Sequence, residues 1–105
     1  MATVATAAPT ERRQANPVMG RVTEFKNYQC AIASINTHAV NQSLTGKCIK
    51  FTIAAQSVDY YRDVDTCTLD LFSDDNCEKK FITLEDSTCF NNGGFDTFSS
   101  AIMRC

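Results

Sequence analysis

Six cysteines distributed over 105 residues constrain this chain more than any other feature of its sequence. They are Cys30, Cys48, Cys67, Cys77, Cys89 and Cys105. No two of them form a Cys-x-x-Cys pair, and there is a single histidine, so the pattern does not fit a zinc site with clustered ligands. An even number of widely spaced cysteines predicts three disulfide bonds formed in an oxidising compartment. Many pairings are possible, and the sequence alone does not choose among them.

Length and charge narrow the possibilities further. A chain of this size forms one domain with a thin core, so disulfides worth about 2–4 kcal/mol each matter to its stability. The formal charge is −2 and there is no basic run, which argues against nucleic acid or an anionic membrane as partner. No window approaches the roughly 20 apolar residues of a transmembrane helix. We expect a monomer without a cofactor.

The first 17 residues differ from the rest of the chain. Residues 1–17 are rich in Ala and Thr and carry both prolines, which is typical of an unstructured leader. They lack the apolar core of a signal peptide, so a secretion signal would have to precede Met1. The dibasic pair Arg12-Arg13 fits a processing site, although it also fits an incidental solvated pair. We predict a leader at 1–17 and a single disulfide-bonded β domain at 18–105.

Short apolar segments separated by turn-forming residues predict an all-β fold. The clearest alternation places Ile49, Phe51 and Ile53 on one face of a strand. Further strands are predicted at Arg21–Ile35, Cys67–Phe72, Phe81–Leu84 and Thr97–Arg104; the alternative for the first is two strands separated by a turn at Lys26-Asn27. Asn36–Thr45 is predicted to be a loop, and Gln56–Asp65 a wide loop or short helix. The pattern favours a small disulfide-rich antiparallel β-sandwich; the alternative is an α+β sandwich with one or two short helices.

The C-terminal part resembles one Greek-key motif of the βγ-crystallin type. The residues that carry the resemblance are Leu69 to Cys77 (LDLFSDDNC), Leu84, Cys89 and the run Phe98-Ser99-Ser100. The resemblance implies a crystallin-like Greek key, with a degraded first motif at Val22 to Ile53. One departure is that the hairpin lacks the family's glycine, with Glu78 and Lys79 in that neighbourhood.

The layout of the whole chain is similar to another, looser class. A leader ending in a dibasic pair, followed by a domain with six cysteines and no tryptophan, resembles the small cysteine-rich secreted proteins of filamentous fungi. Effectors of plant pathogens and killer-toxin-like proteins belong to this class. The resemblance implies an extracellular protein but transfers no catalytic residues.

Crystallin-type units can bind calcium through a loop that ends in Ser/Thr-Ser. Here Asp96, Ser99 and Ser100 match that pattern, but Phe95 stands where the first ligand belongs. Because calcium prefers six to eight oxygens, the loss of one ligand weakens the candidate. The alternative is that the serines bond the backbone and the acids form a solvated face.

Three further positions are candidates for contact or modification. His38 would have to carry any acid–base chemistry near neutral pH, but its polar setting predicts a solvent-exposed loop histidine. Asn41-Gln42-Ser43 is an N-glycosylation sequon. Tyr60-Tyr61 beside Arg62 fits a recognition patch, because tyrosine and arginine are favoured at interface hot spots. The alternative is a core tyrosine next to a surface one.

Together these features predict a secreted, extracellular, effector-like binding protein of fungal type that is not an enzyme. Its partner would be a protein or glycan of a host or competitor, contacted through the loops Asn36–Thr45 and Gln56–Asp65. One alternative is an antimicrobial or killer-toxin-like protein, although the acidic balance argues against lysis of anionic membranes. Another is a small secreted ribonuclease-like hydrolase, for which a second histidine is missing.

Overall fold

The computed structural model describes residues 16–31, 34–93 and 95–105. These residues form eight strands and no α-helix, which confirms the all-β prediction. The strands are β1 (Val18–Phe25), β2 (Ser34–Asn41), β3 (Ile49–Ala55), β4 (Ser57–Arg62), β5 (Thr68–Phe72), β6 (Lys80–Leu84), β7 (Thr88–Asn91) and β8 (Phe98–Arg104). The predicted processing pair Arg12-Arg13 lies outside the described residues.

The strands form two antiparallel four-stranded sheets that pack face to face. Sheet A has the order β2-β1-β4-β7, and sheet B has the order β3-β8-β5-β6. The chain therefore consists of an N-terminal unit, β1–β4, and a C-terminal unit, β5–β8. Each unit is a Greek key whose third strand lies in the sheet of the other unit. This order confirms the predicted small antiparallel β-sandwich.

Alternating side chains from both sheets fill the space between them. Val22, Val58 and Tyr60 point inward from sheet A, and Leu69, Leu71 and Met103 point inward from sheet B, all fully buried. Their period of two follows from the pleat of the strand, which sends successive side chains to opposite faces. The core is thin, as expected for a domain of this length.

Each unit folds a short hairpin back over the outer face of its own sheet. In the N-terminal unit the Ser57 hydroxyl donates to the Asn27 carbonyl at 2.6 Å and accepts from the Cys30 amide at 2.9 Å. In the C-terminal unit the Ser100 hydroxyl donates to the Asp74 carbonyl at 2.6 Å and accepts from the Cys77 amide at 3.1 Å. The two hairpins are thus held by the same pair of contacts.

The hairpins also share an unusual backbone conformation. Cys30 and Cys77 have φ values of 52° and 57°, in the left-handed region that favours glycine. In the C-terminal hairpin the left-handed residue is therefore Cys77, not Glu78 or Lys79. A cysteine at this position accepts some backbone strain, which the disulfide and the serine contact hold in place.

All six cysteines are paired, which confirms the prediction of three disulfide bonds. The bonds are Cys30–Cys89, Cys48–Cys77 and Cys67–Cys105. The first two each join the hairpin of one unit to the exchanged third strand of the other, since Cys89 lies in β7 and Cys48 immediately precedes β3. The third joins the start of β5 to the end of the chain. Two of the three cross-links therefore hold the units together.

Three segments differ from the sequence-based expectation. Asn36–Thr45 is not a loop throughout, because β2 extends to Asn41 before a short 3₁₀ turn at Gln42–Leu44. Gln56–Asp65 is neither a helix nor a wide loop, because it contains β4. β7 was not predicted. The other predicted strands are confirmed within a few residues, and Arg21–Ile35 is divided after Phe25, which agrees with the alternative of a turn at Lys26-Asn27.

Candidate interaction surface

The adjacent tyrosines of β4 have opposite environments. Tyr60 is fully buried in the core, whereas Tyr61 is 56% exposed on the outer face of sheet A. Burial raises the pKa of the Tyr60 phenol, an effect that Arg62 opposes and Asp86 reinforces. The Tyr60 hydroxyl has no hydrogen-bond partner among the described residues. Of the two tyrosines, only Tyr61 can contact a partner.

Arg62 is largely engaged in contacts within the molecule. Its Nη1 donates to the Asp65 carbonyl at 2.6 Å, and its Nη2 donates to Asp86 Oδ1 at 2.7 Å. Its backbone amide donates to Ser87 Oγ at 3.0 Å. Because these partners lie in two different loops, Arg62 joins the loops that precede β5 and β7.

His38 lies on β2, and the expectation of a solvent-exposed loop histidine is wrong. Its side chain is only 19% exposed, and its Nε2 is hydrogen-bonded to the carboxylate of Glu24. Its ring also stacks on Phe51, with centroids 5.8 Å apart. The sequence did not indicate this placement because the residues around His38 are polar and β2 is an edge strand.

Glu24 is fully buried, and its carboxylate accepts hydrogen bonds from the third strand of its own unit. The donors are the Thr52 amide at 2.9 Å, the Thr52 hydroxyl at 2.8 Å and the Ile53 amide at 3.2 Å. The pairing of β3 with β8 is interrupted between Lys50 and Ala55, so the carboxylate supplies acceptors within this gap. Glu24, His38 and Thr52 together form a polar seam that closes the sandwich between β1, β2 and β3.

A carboxylate–imidazole pair is one component of many acid–base sites, because the carboxylate orients the ring. In the polar seam the Glu24 oxygens already accept from backbone amides and from Thr52. No described serine, threonine or cysteine is hydrogen-bonded to the His38 ring. The geometry therefore supports a structural role for the pair, holding β3 against sheet A.

The calcium candidates do not converge on a shared site among their described contacts. Ser100 is buried, and its hydroxyl is used by the C-terminal hairpin. Asp96 is exposed and accepts a hydrogen bond from Asn92, while Ser99 is half-buried. No group of three or more His, Cys, Asp or Glu side chains in the described ranges is arranged to hold a metal ion.

The outer face of sheet A presents an exposed surface around Tyr61. Across the strands, Arg21 lies opposite both Ala39 and Tyr61, and Thr23 lies opposite both Thr37 and Asp59. We call this surface the tyrosine face; its members are Arg21, Thr23, Thr37, Ala39, Asp59 and Tyr61. All of them are exposed except Thr23, which is half-buried.

Three members of the tyrosine face, Arg21, Thr23 and Thr37, are held by side-chain contacts. Arg21 Nη1 forms an ion pair with Asp63 Oδ2 at 3.0 Å, and the Thr23 and Thr37 hydroxyls are 3.0 Å apart. The Cys30–Cys89 disulfide borders the face, because Cys89 lies opposite Asp59. The described residues form no pocket.

Three of the four sequence-predicted interaction residues lie outside this face. Tyr60 is in the core, His38 is in the polar seam, and Arg62 is bound to the loops that precede β5 and β7. Tyr61 was predicted, but its neighbours Arg21, Thr23 and Thr37 were not. The signal that could have identified them is the alternation of polar and apolar residues along β1, with Arg21 and Thr23 on either side of Val22.

Comparison with models of protein families, with curated proteins and with solved structures found no match to this chain. In the part of the chain that the structure describes, no helix is long and apolar enough to cross a membrane.

Proposed function

We propose that this protein is an extracellular, effector-like binding protein that recognises a protein or glycan of a host or competitor through the tyrosine face. This role agrees with the fungal secreted class that the layout of the chain resembles. The two predicted contact loops, Asn36–Thr45 and Gln56–Asp65, contain the strands β2 and β4. We therefore assign the contact surface to a face of sheet A and not to these loops.

The three disulfides support the extracellular part of the proposal. Disulfides form and persist in oxidising environments, and they are rare in proteins kept in a reducing cytosol. A small domain with a thin core depends on such cross-links for its stability. All six cysteines are used for this purpose, which leaves no free thiol on the described surface.

The exposure of Tyr61 carries the binding part of the proposal. Tyrosine is enriched at interface hot spots because it supplies a large rigid contact area and a hydroxyl group. Tyr61 is 56% exposed at the centre of a sheet, with an arginine beside it and threonine hydroxyls nearby. Since the backbone of the face is held by pairing on both sides of β1 and β4, little ordering is needed on binding.

The proposal is tested with the disulfide-intact chain labelled by biotin. The probes are cell-wall and surface-protein preparations from a plant, a fungus and a bacterium, together with an immobilised glycan panel. We expect saturable binding to at least one probe, and we expect Tyr61→Ala to weaken it about 30-fold, as for a hot-spot residue worth about 2 kcal/mol.

The matched control is Phe95→Ala, because Phe95 is 88% exposed in the loop between β7 and β8 and does not belong to the tyrosine face. We expect this variant to bind like the unmodified protein. If none of the probes showed saturable binding, that result would contradict the proposed function. Equal loss from both variants would contradict the assignment to the tyrosine face, and growth inhibition without such binding would favour the killer-toxin-like alternative.

A further inference from the structure

The two sheets of the sandwich leave four edge strands, and each open edge can pair with a strand of another molecule. The edge strands are β2 and β7 in sheet A and β3 and β6 in sheet B. Proteins protect such edges with charged residues, prolines, very short strands or bulges, because an unprotected edge is a template for aggregation.

Three of the four edges carry a protection of this kind. On β3, Lys50 has a 68% exposed side chain, and the amides of Thr52 and Ile53 donate to Glu24 inside the molecule. β6 begins with Lys80, whose side chain is 55% exposed. β7 has only four residues, and one of them, Cys89, is bound to Cys30.

The edge strand β2 has no charged residue or proline and is not short, and its pairing with β1 shifts register only near its two ends, so it is regular from Asn36 to Val40. Its eight residues, SINTHAVN, include no lysine, arginine, aspartate, glutamate or proline. It pairs only with β1, and most of its residues are exposed. It is thus the longest edge strand of the described molecule and the one most open to pairing with another chain.

The sequon Asn41-Gln42-Ser43 lies at the end of this same strand. Asn41 is the last residue of β2, and Gln42 and Ser43 begin the exposed 3₁₀ turn that follows. The side-chain amide of Asn41 makes no hydrogen bond to a described residue, so no contact of the fold has to be broken to modify it. Asn-x-Ser/Thr triplets on surface turns are acceptors for N-linked glycans in secreted proteins.

We propose that Asn41 carries an N-linked glycan and that this glycan protects the β2 edge from pairing with a second copy of the chain. The physical reason is steric, because a strand that pairs along β2 has to pass the bulky, hydrated group attached at its end. The inference rests on the proposed extracellular role, since N-glycans are added in the secretory pathway. It gives the uncharged edge the protection that lysines give to the β3 and β6 edges.

The test uses the full chain secreted from a glycosylating eukaryotic host, with Ser43→Ala to abolish the sequon and Ser43→Thr to preserve it. Intact mass before and after enzymatic glycan removal measures the modification. Light scattering coupled to size exclusion measures the oligomeric state. We expect the protein without substitutions and the Ser43→Thr variant to carry a glycan and remain monomeric. We expect the Ser43→Ala variant to associate at the same concentration.

A second variant shows whether any association involves β2. Adding Ala39→Lys to Ser43→Ala places a charge on the exposed edge, and we expect it to restore the monomer. A folded protein with three disulfides but no glycan at Asn41 would overturn this inference and leave the proposed function intact. Ser43→Ala remaining monomeric would overturn the protective role, whereas failure to form the three disulfides in an oxidising pathway would contradict the extracellular role itself.

Discussion

Glu24 shows how one residue can close one side of the sandwich. Its side chain is fully buried, and burying a carboxylate costs free energy unless hydrogen bonds or a positive partner compensate. The compensation comes from His38 and from the backbone of β3, whose amides lack a partner strand at this point. The Glu24 carboxylate and the unpaired amides of β3 therefore satisfy each other's hydrogen-bonding capacity.

This reciprocity predicts the effect of removing the carboxylate. Glu24→Ala leaves buried amides of β3 without an acceptor and creates a cavity, so we expect the free energy of unfolding to fall by about 3–5 kcal/mol. Glu24→Gln keeps one acceptor oxygen and should cost less. Denaturant titration of the disulfide-intact protein measures both, with exposed Glu85→Ala as the control. A loss below about 1 kcal/mol for Glu24→Ala would refute the role assigned to the carboxylate.

Asp70 predicts a dependence of stability on pH. Burial opposes ionisation of this carboxyl, but hydrogen bonds from Thr83 at 2.6 Å and Arg104 at 2.9 Å, with the charge of Lys80, outweigh it. The pKa of Asp70 is therefore lowered from its ordinary value of 3.8. As the pH falls, Asp70 is protonated in the unfolded chain before it is protonated in the folded protein. The stabilisation is therefore present above pH 3.8 and is lost as the pH falls through the lower pKa of the folded state.

The variant Asp70→Asn isolates this contribution. We expect it to lower the free energy of unfolding at neutral pH, because the asparagine carries no charge for Arg104 and Lys80 to stabilise. We further expect the difference from the unmodified protein to shrink as the pH falls below 3.8. Urea titrations at a series of pH values measure this difference, and a difference that does not change with pH would contradict the assignment.

The sequence indicated the exposed environment of Tyr61 but not the half-buried environment of His38. The pattern in β4 alternates between Val58 and Tyr60 inside and Asp59 and Tyr61 outside, so a buried tyrosine beside an exposed one was an expected alternative. No comparable pattern marks His38, because the acid that holds it is 14 residues away in the sequence. A pairing of that kind depends on the register of β1 with β2, which the sequence does not specify.

Among the structural elements, the two folded hairpins share a sequence pattern and the same stabilising contacts. Phe25-Lys26-Asn27-Tyr28-Gln29-Cys30 and Phe72-Ser73-Asp74-Asp75-Asn76-Cys77 share the pattern Phe-x-Asn/Asp-x-x-Cys. Each pattern is followed by a serine, Ser57 or Ser100, that ties the hairpin to the fourth strand of its own unit. The resemblance of the first unit to a degraded Greek key is thus visible in a short motif that alternation of apolar residues does not reveal.

The shared contacts predict that the two serines have similar importance. Ser57→Ala and Ser100→Ala each remove one donor and one acceptor from part-buried backbone groups, so we expect each to lower the free energy of unfolding by about 1–3 kcal/mol. Ser99→Ala is the matched control, because Ser99 lies next to Ser100 and makes no side-chain hydrogen bond to the described residues. Thermal and denaturant unfolding measure all three, and a loss from Ser99→Ala as large as that from Ser100→Ala would argue against the hairpin contacts.

The strands that the sequence predicted are those with a strong apolar face, such as β3 and β5. The strands that it did not predict are β2 and β7, the edge strands of sheet A, and β4, an inner strand of the same sheet. An edge strand can bury little of its surface, so the residues of β2 and β7 need not alternate between apolar and polar. β4 does alternate, but it has only six residues, and a run that short does not distinguish a strand from a helix or a loop.

For the whole molecule, the exchange of third strands explains the positions of the cysteines. β3 and β7 each leave their own unit, and Cys48 and Cys89 attach them to the hairpins of the unit they join. The sequence predicted that the cysteines form disulfides, because that follows from their number and spacing. It could not predict the partners, because the pairing depends on which sheet each third strand enters.

The most direct test of this arrangement is a disulfide map of the native protein, obtained by proteolysis without reduction and mass spectrometry of the linked peptides. The exchange of third strands predicts the pairs Cys30–Cys89, Cys48–Cys77 and Cys67–Cys105. Peptides that instead link Cys30 to Cys48 and Cys77 to Cys89 would confine those bridges within each unit and contradict the exchanged sandwich.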